Sequence, residues 1–269
     1  MRVEFVESVV RQLLNHGVLE KSDSILAVCA GKEERAFFTS MTFSDVTISN
    51  LDERVKPSEF LPLKWSCQDA QNLSFANDQF DFAFVSDGLH HCTSPHRALL
   101  EMYRVARKGI IMFEGRDSLP MRLANRVKLV SEFELEAVVD NEYRFGGVNN
   151  TEIPNYIYRW TERELMKTIH SCNPTGKHDI RFFYGMGLPY QTSEMRKSSL
   201  KLNIVRSIGP VLIVSARFFK RLNNLFAMVV LKPRIPEDLW PWIQQQDGAI
   251  AFNREYADKF YKPSKQSQR

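Results

Sequence analysis

The chain has 269 residues, of which 43% are apolar and 25% are charged, the proportions of an ordinary soluble globular protein. This composition excludes a disordered, collagen-like or coiled-coil chain over most of the length. Lysine and arginine outnumber aspartate and glutamate by only four (36 against 32), which is too small a bias to indicate a nucleic-acid-binding protein.

The first predicted element is a helix over residues 3–16, where valines and leucines recur at helical spacing and Gly17 follows as a terminator. The apolar run 24–31 then ends in glycine, which predicts a buried strand that leaves into a tight turn. Further apolar and β-branched runs predict three more strands in the first half, at residues 46–49, 80–85 and 109–113.

Between the last two of these strands, Ser94 and Pro95 are a typical N-cap and first residue of a helix. Strands that alternate with helical stretches form βαβ units, so the sequence predicts an α/β fold with helices on both faces of a parallel sheet. Ligands of such sheets bind beyond the carboxyl ends of the strands. The loops of interest are therefore residues 29–35, 50–54, 67–73 and 86–92.

The second half is less regular. Residues 118–138 are predicted to be helical, and the segment 140–156, rich in asparagine and glycine, is predicted to be a loop. Thr161 and Glu164 form a capping box for the next helix. The remaining elements are a strand at 179–184, a basic helical stretch at 194–222 broken near Gly209 and Pro210, a strand at 225–231 and an irregular tail after Pro236.

Four sequence pieces of the first half carry the most information. They are Val28–Gly31 (VCAG), Asn50–Asp52 (NLD), Gln68–Phe75 (QDAQNLSF) and Phe80–His91 (FDFAFVSDGLHH). In this order they resemble class I S-adenosylmethionine-dependent methyltransferases, in particular the small-molecule, methyltransferase type 11 branch, whose fourth strand leads into a Leu-His-His turn. The resemblance covers residues 22–115 well and is most specific between Gln68 and Glu114.

The resemblance implies a Rossmann-like, doubly wound, mostly parallel seven-stranded sheet. It also implies three parts of the chain. These are an N-terminal helix that packs on the core over 1–21, a methyltransferase domain over 22–233 with substrate or lid elements at about 116–160 and 193–222, and a C-terminal tail over 234–269.

S-adenosylmethionine is the cofactor that the resemblance implies, and its contacts are expected from the strand ends. The first turn is expected to face the methionine part of the cofactor, the end of the second strand its ribose, and the segment after Gln68 its adenine. The end of the fourth strand lies where the sulfonium and the methyl acceptor are expected to meet. The candidates, in that order, are Cys29, Ala30 and Gly31; Asn50 and Asp52; Asp69 and Ala70; and Ser86 and Asp87.

The first turn departs from the family pattern. Ala27 stands where an acidic residue is usual, and Cys29 and Glu33 replace glycines, so that only Gly31 is left. Asn50 likewise stands where an acidic residue usually ends the second strand. A non-catalytic binding protein with a methyltransferase fold is therefore the alternative to an enzyme.

The function we expect is methyl transfer from S-adenosylmethionine to an O, N or C nucleophile of a small or medium-sized acceptor, such as a sugar- or lipid-type molecule. His91 is the candidate general base, because an unperturbed imidazole has a pKa of about 6.5; packing beside the cofactor is the other interpretation. No metal is expected, since adjacent histidines tend to point to different sides. A nicotinamide-dependent oxidoreductase is disfavoured because the chain has no G-x-G-x-x-G turn.

The segment from Arg196 to Arg221 contains seven basic residues and no acidic ones, with apolar residues between them. It is interpreted either as a core helix with a solvated basic face, or as a lid that also favours anionic partners such as a phosphate-bearing sugar or a lipid headgroup. Peripheral membrane contact through 196–221 and the oligomeric state both stay open. Without a signal peptide, a C-x-x-C pair or an apolar run long enough to span a membrane, the expectation is a reduced, cytoplasmic protein that binds no nucleic acid.

Overall fold

A seven-stranded sheet runs through the protein, in a computed structural model that describes residues 2–187 and 199–261. The strand order is β3-β2-β1-β4-β5-β7-β6. Strands β1 to β5 pair in parallel, whereas β7 lies antiparallel to both of its neighbours. This arrangement confirms the predicted Rossmann-like fold. The strands are β1 (Ile25–Ala27), β2 (Val46–Asn50), β3 (Lys64–Cys67), β4 (Phe80–Ser86), β5 (Ala106–Gly115), β6 (Asp179–Gly185) and β7 (Leu225–Leu231).

Helices cover both faces of this sheet, as the βαβ pattern predicts. Side chains alternate across each strand, so Leu26 packs into one core while Ile25 and Ala27 pack into the other. The first core includes apolar residues of α3 and α6, and the second includes those of α1 and α2. The described helices are α1 (Arg2–Asn15), α2 (Lys32–Ser40), α3 (Pro95–Val105), α4 (Leu119–Arg126), α5 (Leu135–Asp140), α6 (Glu162–Cys172), α7 (Ser199–Phe218) and α8 (Arg254–Phe260).

The single helix predicted over 118–138 is wrong. The chain forms α4, turns at Lys128, whose φ is +55°, and resumes a helix only at Leu135. Between the two helices, Phe133 forms an isolated bridge with Tyr156, which places this turn beside the segment 140–156. Amphipathic spacing continues across the turn, so the periodicity alone does not show the break.

The break predicted near Gly209 and Pro210 is also wrong, because α7 runs through both residues. A proline inside a helix removes one backbone hydrogen bond, and here the turns on both sides of it keep the helix continuous. The predicted stretch at residues 194–198 lies outside the described residues. Among the residues that the structure describes, no helix is both long and apolar enough to cross a bilayer.

The C-terminal segment is regular, contrary to the prediction of an irregular tail. Strands β8 (Ile243–Gln246) and β9 (Ala249–Phe252) form a hairpin, and α8 follows. Asp247 and Gly248 form its turn, with φ of +52° and +79°. Upstream, Trp240 and Trp242 stack on each other with ring centroids 5.1 Å apart, and the Trp240 amide donates to the carbonyl of Thr175. The tail is therefore pinned to the core beside Thr175.

His178 links stability to pH. It lies 2.8 Å from the hydroxyl of Tyr103, and burial, His170 and Lys232 lower its pKa from 6.5 to about 4. Between those pH values the unfolded chain binds more protons, so the free energy of unfolding falls as the pH drops from 6.5 to 4. We expect the free energy of unfolding of the His178→Gln variant to fall by about 1 kcal/mol less than that of the wild type over this pH range, allowing for the partial exposure of the ring. Urea unfolding of the wild type and the variant across this pH range measures the difference. An identical dependence of the free energy of unfolding on pH in the two proteins would contradict the prediction.

Candidate cofactor and acceptor site

A cavity of about 290 Å³ opens at the carboxyl ends of β1, β2 and β4, where the sequence places the cofactor. Its opposite wall comes from the segment between Ala137 and Asn150. The strand-end loops therefore form only one side of the site. The structure brings most of the predicted site residues together in this lining, namely Cys29, Asn50, Asp52, Asp69, Ala70, Asp87 and His91.

Cys29 takes the place of the usual first glycine and has a φ of +50°, a conformation that favours glycine. Its side chain lies against Gly88: a Cβ added to Gly88 would lie only 2.4 Å from the Cys29 Cβ. The side chain of Cys29 therefore occupies the space that the missing side chain of Gly88 leaves. The Sγ atoms of Cys29 and Cys92 are 4.0 Å apart, and this contact and burial raise the pKa of the Cys29 thiol.

The two other residues of the first turn face elsewhere. The Ala30 amide donates to the carbonyl of Ser49 at 2.9 Å, and the Gly31 amide donates to Glu34 Oε2 at 2.8 Å. Burial raises the pKa of Glu34. The Gly31 amide, expected to face the carboxylate of the cofactor, therefore already has an acceptor within the chain.

The end of β2 is tied to the opposite wall of the cavity. Asn50 Oδ1 accepts the Leu51 amide at 2.7 Å. Asp52 pairs with Arg54 at 2.7 Å, and this arginine lowers the pKa of the carboxyl. The Arg54 guanidinium in turn lies over the ring of Phe145, 3.7 Å from its centroid. A cation–π contact thus joins the predicted ribose-binding loop to the segment beyond Ala137.

Asp69 and Ala70 occupy another side of the cavity. Asp69 Oδ1 accepts the Gln71 amide at 2.8 Å, which closes a short turn and fixes the carboxylate. The Gln71 side chain donates to Asn149 Oδ1 at 3.1 Å, a second link to the opposite wall. A fixed carboxylate beside the small side chain of Ala70 suits a flat ring with an amino group.

Ser86 and Asp87 lead into a second cavity, of about 620 Å³, between α1 and α2. Ser86 lines this cavity alone, whereas Asp87 lines both. The floor is apolar and includes Phe37 and Phe84, and the other charged side chains of the lining are all acidic (Glu7, Glu33 and Glu34). Asp87 thus marks the junction of the two spaces.

Two histidines and two glutamates form a polar cluster at the wall of the first cavity. His90 lies between Glu114 and Glu134, with each distance 3.1 Å. Burial lowers the pKa of His90, but the two carboxylates outweigh burial and raise it to about 9. Burial and the positive charge of His90 lower the pKa of His91, whose Nε2 lies 3.3 Å from Glu134. Burial raises the pKa of Glu134, and the histidines reverse this and lower it to about 2.

Glu114, near the end of β5, is not exposed to solvent. Its side chain is buried, and one oxygen accepts the amides of Gly88 and Leu89 at 3.0 and 2.8 Å. Glu134 was not among the predicted site residues, because it lies 44 residues beyond His90 in a segment predicted to be helical. No local pattern marks it.

Solved structures share this fold at low sequence identity. A protein of Bacillus halodurans C-125 described as a methyltransferase superposes with a TM-score of 0.50 and 15% identity, covering 84% of this chain and 100% of that one. YcgJ of Bacillus subtilis gives a TM-score of 0.50 and 11% identity, covering 85% and 99%. The sheet order and the strand-end cavity define the class I methyltransferase fold.

One part of the sequence matches a family model. Residues 24–113 match the family model described as a methyltransferase domain. It is 38% identical over 80 residues to the ubiquinone/menaquinone biosynthesis C-methyltransferase UbiE of Roseobacter denitrificans, covering 28% of this chain and 32% of that protein. For UbiE of Neisseria meningitidis serogroup C the identity is 29% over 109 residues, covering 36% and 43%. The matches thus span less than half of these curated relatives.

Proposed function

We propose that the protein transfers a methyl group from S-adenosylmethionine to an O, N or C nucleophile of a small or medium-sized acceptor. The observation that carries this proposal is the strand-end cavity, because the strands whose carboxyl ends line it, β1 to β4, lie within the residues that match the methyltransferase domain model. The transfer is an in-line displacement at the methyl carbon of a sulfonium. It requires alignment of two molecules, exclusion of water and removal of a proton from the acceptor.

In this proposal the cofactor occupies the smaller cavity and the acceptor the larger one. Asp69 accepts from the adenine amino group, and Asn50 holds the ribose hydroxyls. The sulfonium then lies near Asp87, which lines both cavities.

His91 is the general base in this proposal, for an acceptor that extends past Asp87 into the cofactor cavity. It lines the cofactor cavity, and its lowered pKa keeps the imidazole neutral at pH 7. A neutral imidazole can accept a proton from a hydroxyl or ammonium group that reaches it. The cytoplasmic location expected from the sequence stays a prediction.

Calorimetric titration of the purified protein with S-adenosylmethionine and S-adenosylhomocysteine tests the proposal. We expect a dissociation constant in the micromolar range, equivalent to about −8 kcal/mol, for a single site. Absence of heat, together with no thermal shift at millimolar ligand, would overturn the proposal. That result would favour the non-catalytic binding protein, for which the occupied Gly31 amide is the supporting observation.

We further propose that the protein docks peripherally on an anionic membrane, where a lipid-type acceptor resides. Helix α7 exposes an apolar stripe, and α4, which packs beside the turn at 220–222, exposes another. The two segments 119–128 and 199–222 contain eight basic residues and no acidic ones. Exposed apolar side chains on segments whose charged residues are all basic match the chemistry of an anionic bilayer surface. This basic apolar surface comprises Leu119, Leu123, Val127, Ile204, Ile208, Val211, Val214, Phe218 and Phe219.

Co-sedimentation with vesicles tests this docking. We expect binding to phosphatidylglycerol-containing vesicles that is weakened by salt, and about tenfold weaker binding to pure phosphatidylcholine vesicles, because the basic residues of the two segments contribute to affinity. Val211→Asp combined with Phe218→Asp should abolish binding, whereas Phe252→Asp, at an equally exposed site outside this surface, should not. Equal vesicle binding by the wild type, the double variant and Phe252→Asp would contradict the proposal. So would self-association that the double variant removes, because the surface would then join two copies of the chain.

A further inference from the structure

We propose that His90, His91 and Glu134 form a binding site for a divalent transition-metal ion at the wall of the cofactor cavity. Their donor atoms all lie within 4.8 Å of one another. Glu134 Oε2 is 3.1 Å from His90 Nε2 and 3.3 Å from His91 Nε2. Two ligands that bind one ion at about 2.0–2.2 Å stand roughly 3 to 3.5 Å apart. The spacing of the three atoms therefore suits a shared ion.

The surroundings of His90 support this assignment. A histidine that binds a metal usually directs its other ring nitrogen at a carboxylate, which fixes the orientation of the ring. His90 Nδ1 lies 3.1 Å from Glu114 Oε2. Glu114 is itself buried and held by the backbone amides of Gly88 and Leu89. Nε2 of His90 is thereby aimed at Glu134.

Local structure explains how adjacent histidines share one ion, against the expectation from the sequence. His90 and His91 end a short 3-10 turn, Leu89–His91, and their ring centroids are 4.7 Å apart with an angle of 31° between the rings. Glu134, just before α5, reaches both of them, and the side chain of Asn155 holds its carboxylate at 3.2 Å. The shared carboxylate is therefore supplied from a segment 44 residues away along the chain.

The chemistry of the donors selects the kind of ion. Two imidazoles and one carboxylate suit Zn²⁺, Co²⁺, Ni²⁺ or Fe²⁺, whereas Mg²⁺ and Ca²⁺ prefer oxygen ligands. With Glu114 nearby, the cluster holds two carboxylates, whose charge a divalent cation would balance. His91 lines the cofactor cavity, so a fourth coordination position opens towards that cavity.

With an ion at this site, His91 is a metal ligand and no longer the general base. Only this change of role rests on the proposed function. An ion there would lower the pKa of a bound water or acceptor oxygen, and so favour loss of its proton. Binding of the ion itself needs no S-adenosylmethionine.

Titration of untagged, chelator-treated protein with Co²⁺ and Zn²⁺ tests the site. We expect one Co²⁺ per chain with a visible absorption band, displaced by Zn²⁺, and at least tenfold weaker binding in His91→Asn and in Glu134→Gln. The matched control is His96→Asn, because His96 also pairs with a glutamate, Glu164, at 2.9 Å but lies outside the cluster. This control should bind the ion as the wild type does.

Two results would overturn the inference. One is no Co²⁺ band in the folded wild-type protein, which would show that the cluster is an ion pair of protonated His90 with its two carboxylates. The other is equal loss of binding in His91→Asn and His96→Asn, which would show adventitious binding to surface histidines. Titrating the metal-free protein with S-adenosylhomocysteine separates failure of this site from failure of the proposed function.

Discussion

Asp69→Ala is expected to weaken binding of S-adenosylmethionine and S-adenosylhomocysteine by about 30- to 100-fold. A hydrogen bond to a charged group contributes roughly 1.5–3 kcal/mol, and the substitution removes one from the adenine amino group. It also opens the turn that Asp69 Oδ1 closes by accepting the Gln71 amide at 2.8 Å. Both losses act on the same wall of the cavity, so we expect the affinity, measured by calorimetry, to fall more than a single contact implies.

Two further variants separate these contributions. Asp69→Asn keeps an oxygen for the Gln71 amide and removes only the charge. We therefore expect its cofactor affinity to lie between those of the wild type and Asp69→Ala. Asp45→Ala is the matched control, because Asp45 is a half-buried aspartate that pairs with Lys64 at 2.8 Å outside both cavities. An unchanged dissociation constant in folded Asp69→Ala would contradict the placement of adenine and leave the rest of the cavity to be tested.

The sequence predicted the half of the site that strand ends build. Asn50 ends a strand, Cys29 and Asp69 each follow one closely, and parallel strands bring their carboxyl ends to one edge of the sheet. Local strand patterns place Cys29 and Asn50, whereas Asp69 follows β3, which the sequence does not predict, and is placed only by the family resemblance. The opposite wall, between Ala137 and Asn150, comes from a loop without periodicity. Its position depends on contacts such as Arg54 with Phe145, which no short-range pattern predicts.

The errors in predicting the fold from the sequence have similar physical causes. Apolar spacing continues from α4 into the next segment, but Lys128 adopts a left-handed conformation and ends the helix. The C-terminal hairpin was predictable in part, because Asp247 and Gly248 are a typical pair for a two-residue turn. Its weakly amphipathic strands, Ile243–Gln246 and Ala249–Phe252, did not stand out from an irregular tail.

Gly88→Ala is expected to destabilise the protein by about 2–3 kcal/mol and to abolish tight cofactor binding. The new Cβ would lie 2.4 Å from the Cβ of Cys29, so one of the two backbones must move. Neither is free to do so. The Gly88 amide is held by Glu114 at 3.0 Å, and Cys29 lies between Val28 and Ala30, whose amides bond to neighbouring strands at 2.9 Å.

Cys29→Gly in the same chain should restore most of the lost stability, because it removes the atom that the new methyl group meets. The measurement is a double-mutant cycle by urea unfolding, with S-adenosylhomocysteine affinity followed in parallel. Gly31→Ala is the control for stability. A Cβ there meets only Glu34 Oε2, at 3.9 Å, so we expect little change in the free energy of unfolding. Simple additivity of the Gly88 and Cys29 substitutions would contradict the argument. Rescue would show that the altered first turn is a compensated one, in which Gly88 supplies the space that a glycine at position 29 provides in the family pattern.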